Sequence, residues 1–541
     1  MDKKAILAIV LSLALLAIYQ FFFVRPPAKP ASETTTAVTE TAPPQTVERR
    51  EQQVASPVEP AARSMPFEAP REVFEEETIP VSTPLYRAVM SSRGGSLASI
   101  TLNNYRKTID DDSDFIELVN VRPDMVYPLT VTFPESNIDI PANARFSADR
   151  EGIDLTRGAQ RESLVFTLFY PGEIKVEKKY TFHSDSYTID LEIRVYNLSG
   201  VTLTQNAQIT WHEHMDTETK ADRFSHIGPV AYINDSLLTV KQKNMGEPQF
   251  HGPEVLWGGY QSKYFIAAII ADQPSLSTMT IAKGAHNEAS VSLRGPRSLI
   301  PPGQSGVFEY TCYLGPKEYD ILKNQNVFLE QAINYGSWIK WLALPLLKGL
   351  KIINSGVKNY GVAIIILTII VKICFWPLGT ISYKSMKQMQ RLQPEMAKIK
   401  EKYKDNKQKL QEETMSLYRA HNINPLSGCL PIMIQIPVFF GLYRALLFSI
   451  ELRHSPFFFW IQDLSAKDPY YVTPIIMGAS MFLQQRMTPT PVGNEMQAKI
   501  MTWMPVMFTF LFLNFPAGLV IYWLFNNILS IGQQYWINKR T

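Results

Sequence analysis

Lys372 is the residue least suited to its surroundings, because it lies within the apolar stretch IIILTIIVKICFWPLG, residues 364–379. A charged side chain near the centre of a bilayer costs about 2.5–3.5 kcal/mol on insertion scales, and such residues usually face a bundle interior or a water-filled cavity. Thr368 lies four residues earlier and shares one helix face with Lys372. This pair could bind a polar or acidic group reversibly, with the cation supplying the attraction.

Side-chain amides also interrupt the apolar segments. Gln435 lies between two prolines, Gln484 lies near the end of one segment, and Asn526 lies within the last. Hydrogen bonds between helices would account for most of these residues, since polar side chains commonly join membrane helices. They do not account for Lys372, because the predicted spans after the first contain no Asp or Glu. Its counter-charge is therefore expected from water, lipid or a bound segment.

The motif WHEHMD, residues 211–216, invites a metal or acid/base interpretation together with His226. His212 and His214 would share one face of a strand, but no third ligand follows at a matching spacing. Polar residues on a solvated sheet face explain the motif equally well. The chain also lacks a GxxxxGK[ST] phosphate loop, and its three cysteines lie far apart. We therefore predict no catalytic residue, no cofactor and no resident metal.

Six segments are apolar enough to cross a membrane. Residues 5–24 follow Lys3 and Lys4 and end without a small-residue cleavage site, so residues 1–24 are predicted to be an uncleaved signal anchor with a cytoplasmic N-terminus. The other five predicted spans are residues 360–378, 429–450, 470–487, 500–515 and 518–537. Six spans return the C-terminus to the cytoplasm.

The region between the first two spans is predicted to lie outside the cytoplasm. Residues 25–78 are rich in Pro, Thr, Ser, Ala and Glu, a composition typical of a disordered tether. From residue 79 to residue 325, apolar and polar residues alternate repeatedly, as in TIDLEIRV, residues 188–195. That period predicts a large antiparallel β-sandwich.

Two further helical regions are predicted, one before the five later spans and one between the first two of them. Residues 326–355 mix tryptophans, leucines and lysines, which favours an interfacial amphipathic helix, although a core helix of the sandwich would also fit. Residues 379–428 contain ten Lys/Arg and five Asp/Glu, which places this loop in the cytoplasm. Within it, residues 380–420 predict a helical hairpin. Its methionine-rich stripe fits the seam between the two helices, and its basic face suits ribosomal RNA, lipid head groups or a targeting receptor.

Three stretches carry a resemblance to a known family: NPLSGCLPIMIQIPVFFGLYRALLFSIELR, WIQDLSAKDPYYVTPIIMGASMF and MTWMPVMFTFLFLNFPAGLVIYWLFNNILSIGQQ. They closely resemble the YidC membrane-protein insertases, and the whole arrangement looks like the Gram-negative members of that family. The resemblance implies a multi-domain protein of the bacterial inner membrane with the antiparallel β-sandwich in the periplasm. It also implies that residues 356–541 form a five-helix insertase core that encloses a hydrophilic groove.

The resemblance also implies the residues of the groove and a cation on the first core helix. Lys372 matches the cation, although the family usually has arginine there, and lysine lacks the planar fork of arginine. The family's aromatic pair in the last helix corresponds to Tyr522 and Trp523. The predicted groove residues are Lys372, Thr368, Gln435, Gln484, Tyr522, Trp523 and Asn526.

The implied function is membrane-protein insertion. The polar flank of a nascent membrane segment would be held briefly in the groove while its apolar part enters the lipid. The expected partners are nascent membrane proteins, membrane lipids, the Sec translocon, and the ribosome and a targeting receptor through the basic hairpin. Two other classes stay open: a secondary transporter with a cation site in mid-membrane, and an envelope carbohydrate enzyme that uses the histidine motif.

Overall fold

The structure is a computed structural model that describes residues 75–541, except residues 120, 122–124, 138–139, 171–172, 216–224, 285–286, 337, 405, 422–429, 488–494 and 541. The predicted signal anchor and nearly all of the predicted tether lie outside the described residues. The described residues comprise a β-rich region and a helical region that comes after it in the chain.

Period-2 alternation produces the strands of the β-rich region, because alternate side chains point into the core. The strands are β1 (Thr78–Ser82), β2 (Tyr86–Ser91), β3 (Ser96–Arg106), β4 (Phe115–Glu117), β5 (Thr130–Thr132), β6 (Ser147–Ala148), β7 (Ile153–Asp154), β8 (Arg161–Tyr170), β9 (Ile174–His183), β10 (Thr188–Asn197), β11 (Leu203–Gln205), β12 (Gln208–His214), β13 (Gly228–Ile233), β14 (Ser236–Thr239), β15 (Gln249–His251), β16 (Val255–Gln261), β17 (Phe265–Ala271), β18 (Thr278–Lys283), β19 (Glu288–Arg294), β20 (Ser298–Ile300) and β21 (Ser305–Pro316).

These strands form four sheets. The largest has the order β14-β13-β16-β17-β21-β10-β9-β8-β6, and two five-stranded sheets have the orders β4-β3-β2-β1-β7 and β15-β18-β19-β12-β5; β11 pairs with β20. In β10, Ile189 and Leu191 are at most 1% exposed, as the alternation predicts. The pairing is antiparallel in the largest sheet. Strands β1 and β7 pair in parallel, so the prediction of an antiparallel sandwich is wrong for this pair.

The helices follow the last strand. They are α1 (Tyr319–Lys323), α2 (Lys340–Val357), α3 (Tyr360–Cys374), α4 (Trp376–Arg391), α5 (Gln393–Lys402), α6 (Lys407–Ala420), α7 (Leu430–Phe448), α8 (Val472–Met487), α9 (Glu495–Phe512) and α10 (Ala517–Arg540). Helix α2 buries one face, which includes Ala343, Leu347 and Leu350, and leaves Trp341 70% exposed on the other.

A bend separates α3 from α4. The sequence predicts a single span over residues 360–378, but the helix axis turns by 64° at Phe375. Pro377 explains the break, because proline lacks a backbone N–H and disfavours helical geometry at the residue before it. Within the described residues, no single helix combines the length and apolar composition expected of a membrane span, whereas the bent pair α3 and α4 does so together.

An ion-pair cluster connects α2 with the end of the β-rich region and the segment after α7. The Nζ atom of Lys351 on α2 lies 3.0 Å from Oε1 of Glu318, 2.6 Å from Oδ2 of Asp320 and 3.1 Å from Oε1 of Glu451. Glu451 is the most enclosed of the three carboxylates, with a side chain that is 12% exposed.

Helices α5 and α6 contact each other through an apolar seam. Leu392, Met396 and Tyr418 form a small buried cluster, and the Tyr418 hydroxyl lies 3.0 Å from the sulfur of Met396. The methionine-rich stripe thus supplies part of the contact between the two helices.

Candidate functional site

A cavity of about 570 Å³, counted up to its open mouth, lies among α3, α4, α7 and α10. It is lined by Thr368, Val371, Lys372, Phe375, Leu378, Gly379, Tyr383, Gln435, Val438, Tyr522, Asn526 and Gln533. Five of the seven predicted groove residues therefore line one cavity. Their side chains combine a cation, amides and hydroxyls with apolar walls.

Lys372 lies in the last turn of α3 and points its ammonium group toward α10. Its Nζ atom donates a hydrogen bond of 2.6 Å to Oγ of Ser530, whose hydroxyl in turn donates to the carbonyl oxygen of Asn526 at 2.7 Å. Among the residues that the structure describes, no carboxylate lies at ion-pair distance from Lys372. The neutral serine positions the ammonium group and leaves its charge uncompensated.

Thr368 is buried on the same face of α3, one turn before Lys372. Its hydroxyl donates to the carbonyl oxygen of Ile364 at 2.6 Å, a bond within its own helix. The donor is thereby occupied, so toward the cavity Thr368 offers an acceptor oxygen and a methyl group.

Gln533 is a lining residue outside the predicted set. Its amide donates to the carbonyl oxygen of Trp376 at 3.0 Å and to Oγ1 of Thr380 at 3.3 Å, so it ties α10 to the start of α4. Gly379 makes room for this amide, because a Cβ there would lie 2.9 Å from its nitrogen. The spacing of Tyr522, Asn526 and Gln533 marks one stripe of a helix and could have identified Gln533.

Tyr383 is a second lining residue that the sequence prediction missed. The sequence predicts a span that ends at residue 378 and a hairpin over residues 380–420. Tyr383 lines the cavity because α4 continues after the bend. Its hydroxyl interacts with the side chains of Ser530 and Gln484. Gln484 itself does not belong to the cavity lining, and it contacts the site through Tyr383.

Trp523 lies outside the cavity lining, unlike its neighbour Tyr522. Its ring packs against three aromatic residues, with centroid distances of 4.7 Å to Phe439, 5.3 Å to Phe512 and 6.0 Å to Phe508. Successive residues of a helix point about 100° apart, so the adjacent pair cannot share one face. The structure places Trp523 in the contact between α7, α9 and α10.

His212 and His226, two histidines singled out in the sequence, have protein partners. His212 on β12 contacts the carboxylate of Glu288 on β19, and a ring nitrogen of His226 lies 3.0 Å from the carbonyl oxygen of Pro229. Among the described residues, no group of three His, Cys, Asp or Glu side chains is arranged to hold a metal ion.

Comparisons with known proteins cover both regions. Residues 78–348 match the family described as YidC periplasmic domain, and residues 352–541 match the family described as 60Kd inner membrane protein. The chain is 55% identical over 547 residues to the membrane protein insertase YidC of Syntrophus aciditrophicus (strain SB), with 100% of both proteins covered. It is 41% identical to the membrane protein insertase YidC of Geobacter metallireducens, covering 100% of this chain and 98% of that protein.

A crystal structure described as an active YidC insertase with its first transmembrane domain resolved is similar over 86% of this chain and 93% of that chain, with 20% identity and a TM-score of 0.37. The sequence relationships cover the full chain and are much closer. They confirm the resemblance seen in the sequence and indicate an inner-membrane protein with a periplasmic β-rich domain. This chain belongs to the YidC family of membrane protein insertases.

Proposed function

We propose that this chain moves nascent membrane segments from the cytoplasm into the inner membrane, and that the cavity around Lys372 holds the polar flank of the segment during transfer. Family membership supports the activity. One observation carries the role of the cavity: Lys372 presents a positive charge whose hydrogen-bond acceptor is the neutral Ser530.

The charge is strong enough to attract a client and weak enough to release it. An acidic client residue about 8 Å from Lys372, at an effective dielectric constant near 20, would gain about 2 kcal/mol. That energy corresponds to about a thirtyfold increase in occupancy. A carboxylate of the chain itself beside Lys372 would cancel much of this attraction.

Exposed apolar side chains on α9 and α7 offer a path for the membrane-spanning part of the client. On α9, Trp503 is 68%, Met507 60% and Phe510 69% exposed, and Ile436 on α7 is 46% exposed. Side chains of this kind suit contact with lipid tails and with an apolar helix that leaves the cavity. Transfer of apolar surface into lipid and the membrane potential would supply the energy, and no nucleotide is required.

The proposed topology has six spans with both termini in the cytoplasm, so that the cavity receives clients from the cytoplasmic side. The basic hairpin of residues 380–420 would contact the ribosome, whose RNA carries negative charge, and a targeting receptor. Action beside the Sec translocon and contact with membrane lipids complete the proposal. Neither a transporter nor an enzyme activity is favoured by the family relationships.

Reconstitution of the purified full chain into liposomes tests this function. A short client with an acidic flank should insert without added nucleotide. Lys372→Arg should retain most of the rate because the charge persists, whereas Lys372→Ala should reduce it by about thirtyfold at most. Lys348→Ala, which removes an exposed lysine from α2, is the matched control. Equal insertion by liposomes without protein would refute the proposed activity.

A further inference from the structure

A second cavity, of about 560 Å³, lies in the β-rich region where β12 meets β16, β17 and the chain around β4. Trp211, Tyr260 and Phe265 are its aromatic residues, and Glu213 and Glu117 are its charged ones. The remaining lining residues are apolar except for Ser262. The described lining includes no Lys, Arg or His, so its ionisable side chains are those of two glutamates and one tyrosine.

Glu213 occupies the wall of this cavity because of strand alternation. Trp211 and Glu213 point to one face of β12, and the Trp211 indole N–H donates to Oε2 of Glu213 at 3.1 Å. His212 points to the opposite face, where it contacts Glu288. Among the described residues, the indole is the single hydrogen-bond donor to the Glu213 carboxyl. Its other oxygen is therefore available to a ligand.

Glu117 is held at the same cavity as a fixed acceptor. It accepts hydrogen bonds from the hydroxyls of Ser99 and Thr101 at 2.7 and 2.9 Å, and from the backbone N–H groups of Ile100 and Val119 at 2.8 and 3.1 Å. These four donors leave Glu117 little freedom to turn away. The cavity thus has one constrained carboxyl group and one, Glu213, with a free oxygen.

The environment of Glu213 makes its charge dependent on a ligand. Burial raises the pKa of the Glu213 carboxyl to about 8, and the Trp211 hydrogen bond opposes that rise. Two other described ionisable groups face the Glu213 carboxyl. They are Glu117 from β4, which raises the pKa of Glu213 further, and Tyr260 from β16. At pH 7 the empty site therefore holds a mostly protonated Glu213, which a bound cation would return to its charged form.

We propose that this cavity binds a primary ammonium group on an aliphatic stem, such as the side chain of a lysine. The faces of Trp and Tyr rings attract cations within about 6 Å, which leaves Trp211 and Tyr260 for this role, because the ring of Phe265 already has the guanidinium group of Arg453 5.9 Å from its centroid. A carboxylate compensates the charge, and the apolar walls accommodate the methylene stem. A sugar would need a larger set of hydrogen-bonding groups than this lining provides, and an anion would lie beside the carboxylate of Glu117 with no cation in the described lining to compensate it.

Isothermal titration of the full chain in detergent micelles with n-butylammonium chloride tests the proposal, with butan-1-ol and glucose as neutral comparison probes. Glu213→Gln should weaken butylammonium binding at least tenfold, because it removes the charge and keeps the shape. Glu247→Gln, at an exposed position of the same region, is the matched control and should bind like the wild type. Equal binding of a neutral probe by the wild type, or unchanged binding by Glu213→Gln, would overturn the proposal.

Proton release on the unaltered protein gives a second test that needs no variant. With a pKa of about 8, binding at pH 7 should release about 0.9 proton per ammonium, seen by comparing buffers of different ionisation enthalpy. Affinity should rise about tenfold from pH 7 to pH 9, because less of Glu213 then needs to lose its proton. Binding without proton release, or with the same affinity at both pH values, would contradict the assignment.

Discussion

Replacement of Lys351 by methionine should loosen α2 measurably, because it leaves Glu318, Asp320 and Glu451 together without their cation. Removing one partner of a buried ion pair costs about 3–5 kcal/mol. Here Lys351 is 25% exposed and Asp320 is 54% exposed, so solvent screens part of the loss and we expect about 2 kcal/mol. That energy corresponds to about thirtyfold faster opening of α2.

Native-state hydrogen exchange on the full chain in micelles measures this opening directly. The protection of α2 amides should fall about thirtyfold in Lys351→Met. Lys348→Met, an exposed lysine on the same helix, should change protection by about twofold at most, since surface substitutions stay within about 0.5 kcal/mol. Equal protection in both variants would refute the idea that the cluster holds α2 in place.

The pH dependence of the same experiment has a predicted sign. Burial raises the pKa of Glu451, and Lys351 opposes that rise. A carboxyl group whose pKa is higher in the folded state than in the unfolded state makes the folded state less stable as the pH increases through that pKa. Burial alone would lower the pKa of Lys351, but the carboxylates raise it above its usual value, so Lys351 stays charged at neutral pH. The difference between Lys351→Met and the wild type should therefore be larger at pH 8 than at pH 5.

Three further outcomes are expected. Replacing residues 389–418 by a short linker should slow delivery of ribosome-bound clients but preserve client photocrosslinks to Gln435, and normal delivery would count against the role of the hairpin. Deleting residues 82–315 should leave insertion of short-tailed clients largely intact, because the cavity lies entirely after residue 360; complete loss at normal membrane abundance would contradict this. Gly478→Ala should destabilise the helical region by about 1–3 kcal/mol, because the new Cβ would overlap Oγ1 of Thr509. Gly532→Ala is the control and should have little effect, because a Cβ there meets no atom within 4 Å. Equal melting temperatures of the two variants would show that α8 and α9 adjust freely.

Much of the β-rich region could be predicted from alternation alone. The pattern of residues 188–195 identified β10 because every second side chain must enter a core, and that rule depends only on local geometry. The pairing of β1 with β7 was not predictable in this way. Strand order and direction depend on contacts between residues far apart in the sequence, which periodicity does not record.

The position of Lys372 in a cavity was predictable from the sequence, because a charged side chain within an apolar segment is costly in lipid and usually faces a bundle interior or a cavity. Its partner was harder to foresee, since Ser530 is one of several polar residues on the last helix and the choice depends on how α3 and α10 pack. Tyr383 was missed because hydropathy ended the span before the bend, while the helix continued. Trp523 was assigned to the groove by family resemblance, and its actual direction depends on the rotation of α10.

A charge-reversal experiment tests the central claim most directly. In liposomes at equal protein abundance, Lys372→Glu should insert a client with an acidic flank more slowly than Lys372→Ala, because attraction becomes repulsion. The same variant should insert a client with a basic flank faster than Lys372→Ala does. A client with an uncharged flank should depend least on position 372. If the order of the variants were the same for acidic and basic flanks, Lys372 would not bind the client flank through its charge, and the proposed role of the cavity would be wrong.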